Sequence, residues 1–276
     1  MQNMNYIPNA GQTYMPFQDN INVSILEFEP LDRPKSPMSS LELKDEFKEK
    51  GFIKAEDCQH FIPSVTAEML DWFWVNMEKC YYLWAPGAHK RFSWVKSPVE
   101  YGFINSAHMI SEAMVPGKPV FGGNGVAINR FDLSWFPFKT ALEHVIVEGI
   151  FNDKNEIVDI NIHMWENVLG GTIHVTSAAV NTRLSEPPAF IKESLESMPT
   201  NEDRAIHAEY EAAMWPVFLP RLYELWKDHP DLSQNVQCDL RVKKTEVGII
   251  EYLSENGPLK IIMPHTYKEE KDNCNR

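Results

Sequence analysis

Residues 202–228 read EDRAIHAEYEAAMWPVFLPRLYELWKD, and their spacing decides which fold class the rest of the chain can join. His207, Glu211, Met214, Phe218 and Leu222 recur at helical intervals, so at 3.6 residues per turn all five share one face. An apolar stripe of this kind turns toward a core, and it takes an imidazole and a carboxylate with it. An unpaired buried carboxylate costs several kcal/mol or takes up a proton. Either a helical i,i+4 pair with His207 or a divalent metal held by both groups would satisfy it. Thr200 is expected to cap this helix, with Glu202 and Asp203 in its first turn, and Pro216 and Pro220 are expected to kink or interrupt it.

Upstream, the hydrophobic period changes from helical to alternating. Runs at 102–110, 125–133, 144–151, 157–165 and 172–181 read as strands of an antiparallel sheet. Residues 152–155 and Gly170-Gly171 read as hairpin turns. A two-residue turn at the second puts His163 and His174 on one face of their pair, and a three-residue turn puts them on opposite faces. A curved antiparallel sheet followed by a long helix is an α+β helix-grip arrangement, in which the sheet wraps the C-terminal helix and leaves a cavity between them.

Three regions are expected. Residues 1–60 form a proline-containing arm and a short helix, which Ser39 and Glu42 start as a capping box and Gly51 ends after Lys50. Residues 61–228 form the main domain. Within it Thr66 caps a helix whose Met69, Leu70, Phe73 and Trp74 face inward, and Pro86 and Gly87 break the next helix so that His89 stands on a loop. Residues 229–276 form an extension with one hairpin, 238–246 with 247–253, and a charged tail. Trp72, Trp74 and Trp84 read as packing.

Composition narrows the function classes. With 276 residues, 43% hydrophobic and 12% aromatic, the chain can bury a full core. A formal charge of −13 and a pI near 5.2 disfavour nucleic acid and anionic membrane as partners. The first residues, Met1-Gln2-Asn3-Met4-Asn5, have neither a basic nor an apolar leader region, and no run of about 18 apolar residues occurs, so a soluble cytoplasmic protein is expected. Cys58, Cys80, Cys238 and Cys274 form no CxxC pair and are expected to be reduced thiols.

His-x-x-x-Glu also occurs at His108/Glu112, His144/Glu148 and His265/Glu269, so the spacing at His207/Glu211 does not by itself select a site. His144/Glu148 reads as strand alternation and His265/Glu269 as solvated tail. Wider context comes from three segments. The first, 63–89, carries Pro-x-Val-Thr-x-Glu-Met-x-Asp-Trp and ends Tyr-x-x-Trp-x-Pro-x-x-His; the second is Glu112 with Gly117 and the strand beyond; the third is His207-x-x-x-Glu211 running into Phe218-Leu219-Pro220-x-Leu222-Tyr223. Together, and in this order over roughly residues 60–226, they resemble the phloretin hydrolase and 2,4-diacetylphloroglucinol hydrolase family of zinc enzymes.

The resemblance implies a Bet v 1-like catalytic domain, hydrolysis of a carbon–carbon bond beside a ketone in an acylated polyhydroxyaromatic, and a zinc ion held by His89, Glu112, His207 and Glu211. Two imidazoles and two carboxylates are ordinary zinc ligands. The interval from His89 to Glu112 is shorter than in the family, and His108, on the same strand face as Glu112, is an alternative to His89. His108 and Glu112 are about 13 Å apart along a strand, so only inward-reaching side chains could share one ion. His163 and His174 match, by order and spacing, histidines facing the family's substrate cavity, and Tyr81 resembles a tyrosine that contacts substrate hydroxyls; each could otherwise be a structural core residue. A small aromatic ketone is the implied partner, and a homodimer through the N-terminal segment the expected assembly. The alternatives are a non-catalytic helix-grip binder of apolar molecules and a zinc enzyme acting on another β-dicarbonyl compound.

Overall fold

The computed structural model describes residues 41–55, 57–77, 80–85, 88–114, 121–152, 154–184 and 201–227, with short strand segments at 237–238, 241–244, 250–253 and 261–262. In chain order these contain helix α1 (Asp45–Glu49), strands β1 (Phe52–Lys54) and β2 (Cys58–Pro63), helices α2 (Ala67–Val75) and α3 (Tyr81–Trp84), and strand β3 (His89–Lys96). They continue with α4 (Pro98–Tyr101), β4 (Ala107–Glu112), β5 (Phe121–Phe131), β6 (His144–Phe151), β7 (Ile157–Val168), β8 (Gly171–Asn181) and the long helix α5 (Asn201–Trp226). One antiparallel sheet runs in the order β1-β8-β7-β6-β5-β4-β3, with β2 also on β8. This is the α+β helix-grip arrangement, an antiparallel sheet packed on a C-terminal helix.

Period-two alternation divides the sheet into two faces. Along β7, Ile160, Ile162 and Met164 enter one core together with Phe47, Phe136 and Phe138. Asp159, Asn161 and His163 point the other way, into a cavity, and Trp165 joins the core on that side. There Met214, Phe218 and Leu222 of α5 pack with Leu70, Phe73 and Trp74 of α2, so the expected stripe is the buried face. Full burial of side chains this large is worth about 1.5–3 kcal/mol each.

Local chemistry explains most boundaries. Thr66 caps α2 by accepting a hydrogen bond from the Met69 N–H at 3.3 Å, although Met69 itself is only partly buried. Val168 pairs with Gly171 across a two-residue turn, Leu169–Gly170, one residue earlier than expected but of the same parity. His163 and His174 therefore share a face. Gly171 is required by close approach, because a Cβ there would meet the Ile62 carbonyl oxygen at 2.2 Å.

Several expectations need correction. Helix α1 starts at Asp45, not after a Ser39 cap, because Leu43 bridges to Phe138 and the Lys44 N–H donates to Pro137 O at 2.8 Å, holding that backbone extended. Glu42 pairs instead with Lys139. Strands β1 and β2, which lie across the expected boundary at residue 60, both pair with β8. Their hydrophobic alternation is too short to stand out alone. The strand expected at 102–110 starts only at Ala107 and runs to Glu112, because Gly102 ends α4 at positive φ and the Ser106 N–H turns back to Phe103 O at 3.2 Å. Helix α5 runs through Pro216 and Pro220 without interruption. Residues 241–244 and 250–253 form an antiparallel pair in the C-terminal extension. Ser39, Thr200, Pro86, Gly87, Gly117, His265 and Glu269 lie outside the described residues, as do the arm at 1–40 and the charged tail. Among the described residues, no helix is long and apolar enough to cross a membrane.

Candidate metal centre

Helix α5 supplies two groups one turn apart. His207 Nδ1 lies 2.8 Å from the Met114 carbonyl oxygen, which can only accept, so Nδ1 carries the proton and donates. Nε2 faces Glu211 Oε1 at 3.2 Å, as a donor while the ring is charged and as a metal-ligating lone pair once it is neutral. His89 repeats the arrangement from the sheet. Its Nδ1 donates to the Tyr81 carbonyl oxygen at 2.6 Å, and its Nε2 lies 3.2 Å from Glu211 Oε1 and 3.4 Å from Glu112 Oε2. His89 is the first residue of β3, paired with Glu112 on β4, so a strand and not a loop presents it. The helix α3 turn still steers it, through the His89 N–H to Ala85 O bond of 2.8 Å.

On neutral rings these contacts set Nε2 lone pairs against carboxylate oxygens, an opposition that a proton or a metal ion between them removes. His89 Nε2 is buried and completes no hydrogen bond, although two carboxylates stand within ion-pair distance. Two imidazoles and a carboxylate gathered in this way fit a divalent metal. The ligand atoms of His89, His207 and Glu211 all lie within 4.8 Å of one another. His108 is not among them. Without a metal, burial opposes charge on His207, but Glu211, Glu112 and the Met114 carbonyl outweigh it and raise the imidazole to about 9. Burial would likewise raise Glu211, yet His207 and His89 hold it well below the usual carboxylate range.

Glu112 stands at the edge of this group. The Tyr81 hydroxyl donates to its Oε2 at 2.5 Å, and the Tyr81 ring stacks on His89 with centroids 3.9 Å apart. Burial, and then Glu112, push the Tyr81 phenol well above its ordinary range, so it stays a donor.

A cavity of about 190 Å³ opens beside the centre. Tyr81, Glu112, His207 and Glu211 line one side, Trp74 and Trp84 another, and His108 and His163 sit on the sheet floor. His163 lies 4.5 Å from the Trp74 ring, with Nδ1 3.4 Å from Thr176 Oγ1, and burial lowers its pKa. Burial takes His108 down to about 4. His174 stacks behind His163, with ring centroids 5.5 Å apart, and does not line the cavity. Trp72 meets Tyr223 edge-on at 5.9 Å, as packing.

Sequence reading missed a second polar group on this floor, made of Glu148, Asn161, Asp159 and, from α5, Arg204. A signal existed: Asp159, Asn161 and His163 are three polar residues in succession on one face of a strand whose other face is apolar from Val158 to Met164.

A family model described as the DAPG hydrolase PhiG domain matches residues 42–224. No curated protein matches the chain. Solved structures similar to part of it include protein Ms6760 from Mycobacterium smegmatis, 10% identical, covering 67% of this chain and 99% of that one with a TM-score of 0.36. Ginseng major latex-like protein 151 from Panax ginseng is 11% identical, covering 58% and 97% with a TM-score of 0.32. Truncated norcoclaurine synthase from Thalictrum flavum is 12% identical, covering 59% and 93% with a TM-score of 0.33. At these scores the overlaps say nothing of activity. The family match, in contrast, spans the described sheet from β1 to β8, all four metal-site candidates and α5 as far as Glu224, and on that extent the chain belongs to the DAPG hydrolase PhiG domain family.

Proposed function

We propose that the protein is a zinc-dependent hydrolase that cleaves the carbon–carbon bond between a ketone and an electron-rich, hydroxylated ring, as in an acylphloroglucinol. The observation that carries this reading is the convergence of His89, His207 and Glu211 beside a cavity with aromatic walls, within a chain of the DAPG hydrolase PhiG domain family. His89, His207 and Glu211, with Glu112 as fourth ligand, suit zinc in hardness and number. Bound zinc would polarise the ketone oxygen or lower the pKa of a water molecule.

The remaining chemistry belongs to side chains. Trp74 and Trp84 flank the ring, and Tyr81 keeps Glu112 oriented through its hydroxyl. Water adds to the ketone carbon, the bond to the ring breaks, and its electron pair enters the ring, which as a keto tautomer leaves as an enolate. A proton then returns to the ring carbon, so ketone plus water becomes a carboxylic acid plus a deacylated phenol. His163 faces the cavity, and burial lowers its pKa, so it takes the proton that the attacking water releases and delivers it to the ring carbon. His174 positions His163 by stacking behind it.

The test combines metal analysis with isotope labelling. Protein purified with ample zinc is expected to hold about one zinc per chain, and turnover of an acylphloroglucinol in ¹⁸O-water to place one labelled oxygen in the acid. Metal-free protein, an unlabelled acid, or turnover of oxygen esters alone would reject the reading.

A further inference from the structure

The cavity floor carries a buried ion pair that the metal centre does not use. Arg130 Nε donates to Glu148 Oε1 at 2.9 Å, with side-chain exposures of 1% and 4%. Arg130 is turned away from the cavity: its guanidinium lies over the rings of Trp94 and Phe103 at 5.2 and 4.6 Å, and it donates to Ser106 Oγ at 3.4 Å and approaches Met77 Sδ at 3.2 Å. Glu148 lines the cavity and Arg130 does not. What the pair shows to the cavity is therefore a carboxylate, with its counter-charge behind it.

Strand register fixes where this carboxylate stands. Glu148 pairs with Asn161, while Ile146 pairs with His163. Glu148 and His163 are thus diagonal neighbours on one face, about 7–8 Å apart. His163 touches Trp74 and Trp84, and Trp84 touches His89 at 5.1 Å. The floor thus leads from the metal centre past Trp84 and His163 to Glu148. Asn161 and His108 also line the cavity, and His108 Nδ1 is buried without a hydrogen-bond partner.

Burying an ion pair in a cavity floor costs desolvation that apolar side chains of the same size would avoid. A carboxylate can only accept hydrogen bonds, so the group that suits it is a donor on the bound molecule. We propose that Glu148 is a specificity-determining residue that accepts a hydrogen bond from a ring hydroxyl of a phenolic substrate, on the sheet floor of the cavity beside His163. Arg130 holds the acceptor in place. This rests on the proposed carbon–carbon hydrolase reading for the substrate class, but the subsite can be tested without turnover.

The experiment follows quenching of tryptophan fluorescence in the full chain as phloroglucinol or 1,3,5-trimethoxybenzene is added. Wild-type protein is expected to bind phloroglucinol, and Glu148→Gln to bind it tenfold or more weakly, the scale of one charge-assisted hydrogen bond. The trimethyl ether, which has no donor, is expected to bind both proteins alike. If Glu148→Gln does not fold, the double variant Arg130→Met with Glu148→Gln removes both charges together and is expected to show the same loss. Equal phloroglucinol affinity in wild type and a folded variant, or no binding by wild type, overturns the proposal. Glu148-dependent binding without cleavage of any acylphloroglucinol would overturn the hydrolase reading alone.

Discussion

His89 Nε2 and Glu211 Oε1 meet 3.2 Å apart, one from the first residue of a strand and the other from the middle of the C-terminal helix. The contact ties sheet to helix where both are buried, and it brings a ring nitrogen and a carboxylate oxygen close enough to share one ion.

On this geometry, His89→Ala is expected to reduce zinc affinity and activity far more than His108→Ala, because His108 is not in the group whose ligand atoms lie within 4.8 Å. Metal content by elemental analysis after dialysis checks it. Equal retention in both variants, or selective loss in His108→Ala, would place the metal deeper in the sheet.

Removing the Tyr81 hydroxyl deprives Glu112 Oε2 of the hydrogen bond it accepts there. Tyr81→Phe is expected to cost roughly 1–3 kcal/mol in stability, as for a buried hydrogen bond to a charged acceptor. Turnover should fall tenfold or more while zinc content stays near that of wild type, since His89, His207 and Glu211 keep their own anchors. Thermal melts, kcat and metal analysis separate the effects; unchanged kcat would remove Tyr81 from the reaction.

Burial raises the Asp159 carboxyl to about 6 from an ordinary 3.8, with Arg204 opposing. The folded chain keeps a proton that the unfolded chain has already released between those values. The group's contribution to stability is thus fully present below about pH 4 and lost as pH rises through about 6, up to about 3 kcal/mol. Asp159→Asn is expected to flatten this part of the profile and to raise stability near neutral pH. Urea unfolding of both proteins at about pH 4.5 and 7.5 measures it, and parallel profiles would refute the assignment.

Gly171 has no room for a side chain, because the clashing atom is the backbone oxygen of Ile62 on the paired strand β2. Gly171→Ala is expected to cost roughly 1–3 kcal/mol by pushing β2 off β8. A lowered midpoint in chemical denaturation checks it. An unchanged midpoint would mean that β2 can shift at no cost.

What the sequence determined by itself was local and periodic. Thr66 caps α2 because its side chain reaches an N–H three residues on, and His207 and Glu211 share a face because a helix repeats every 3.6 residues. The β7–β8 turn was legible as a turn, but only the observed pairing of Val168 with Gly171 decided that His163 and His174 lie on one side of the sheet. Tertiary structure decided everything that depends on distant partners. Met114, 93 residues from His207, sets which ring nitrogen faces the centre. Register across β5, β6 and β7 brings Arg130, Glu148 and Asn161 into one row, and stacking depth leaves His174 behind the cavity wall while His163 faces in. Local spacing fixes the direction of a side chain through backbone geometry alone. Which group it meets depends on how the sheet closes over the helix, and that follows from burial summed over the whole chain.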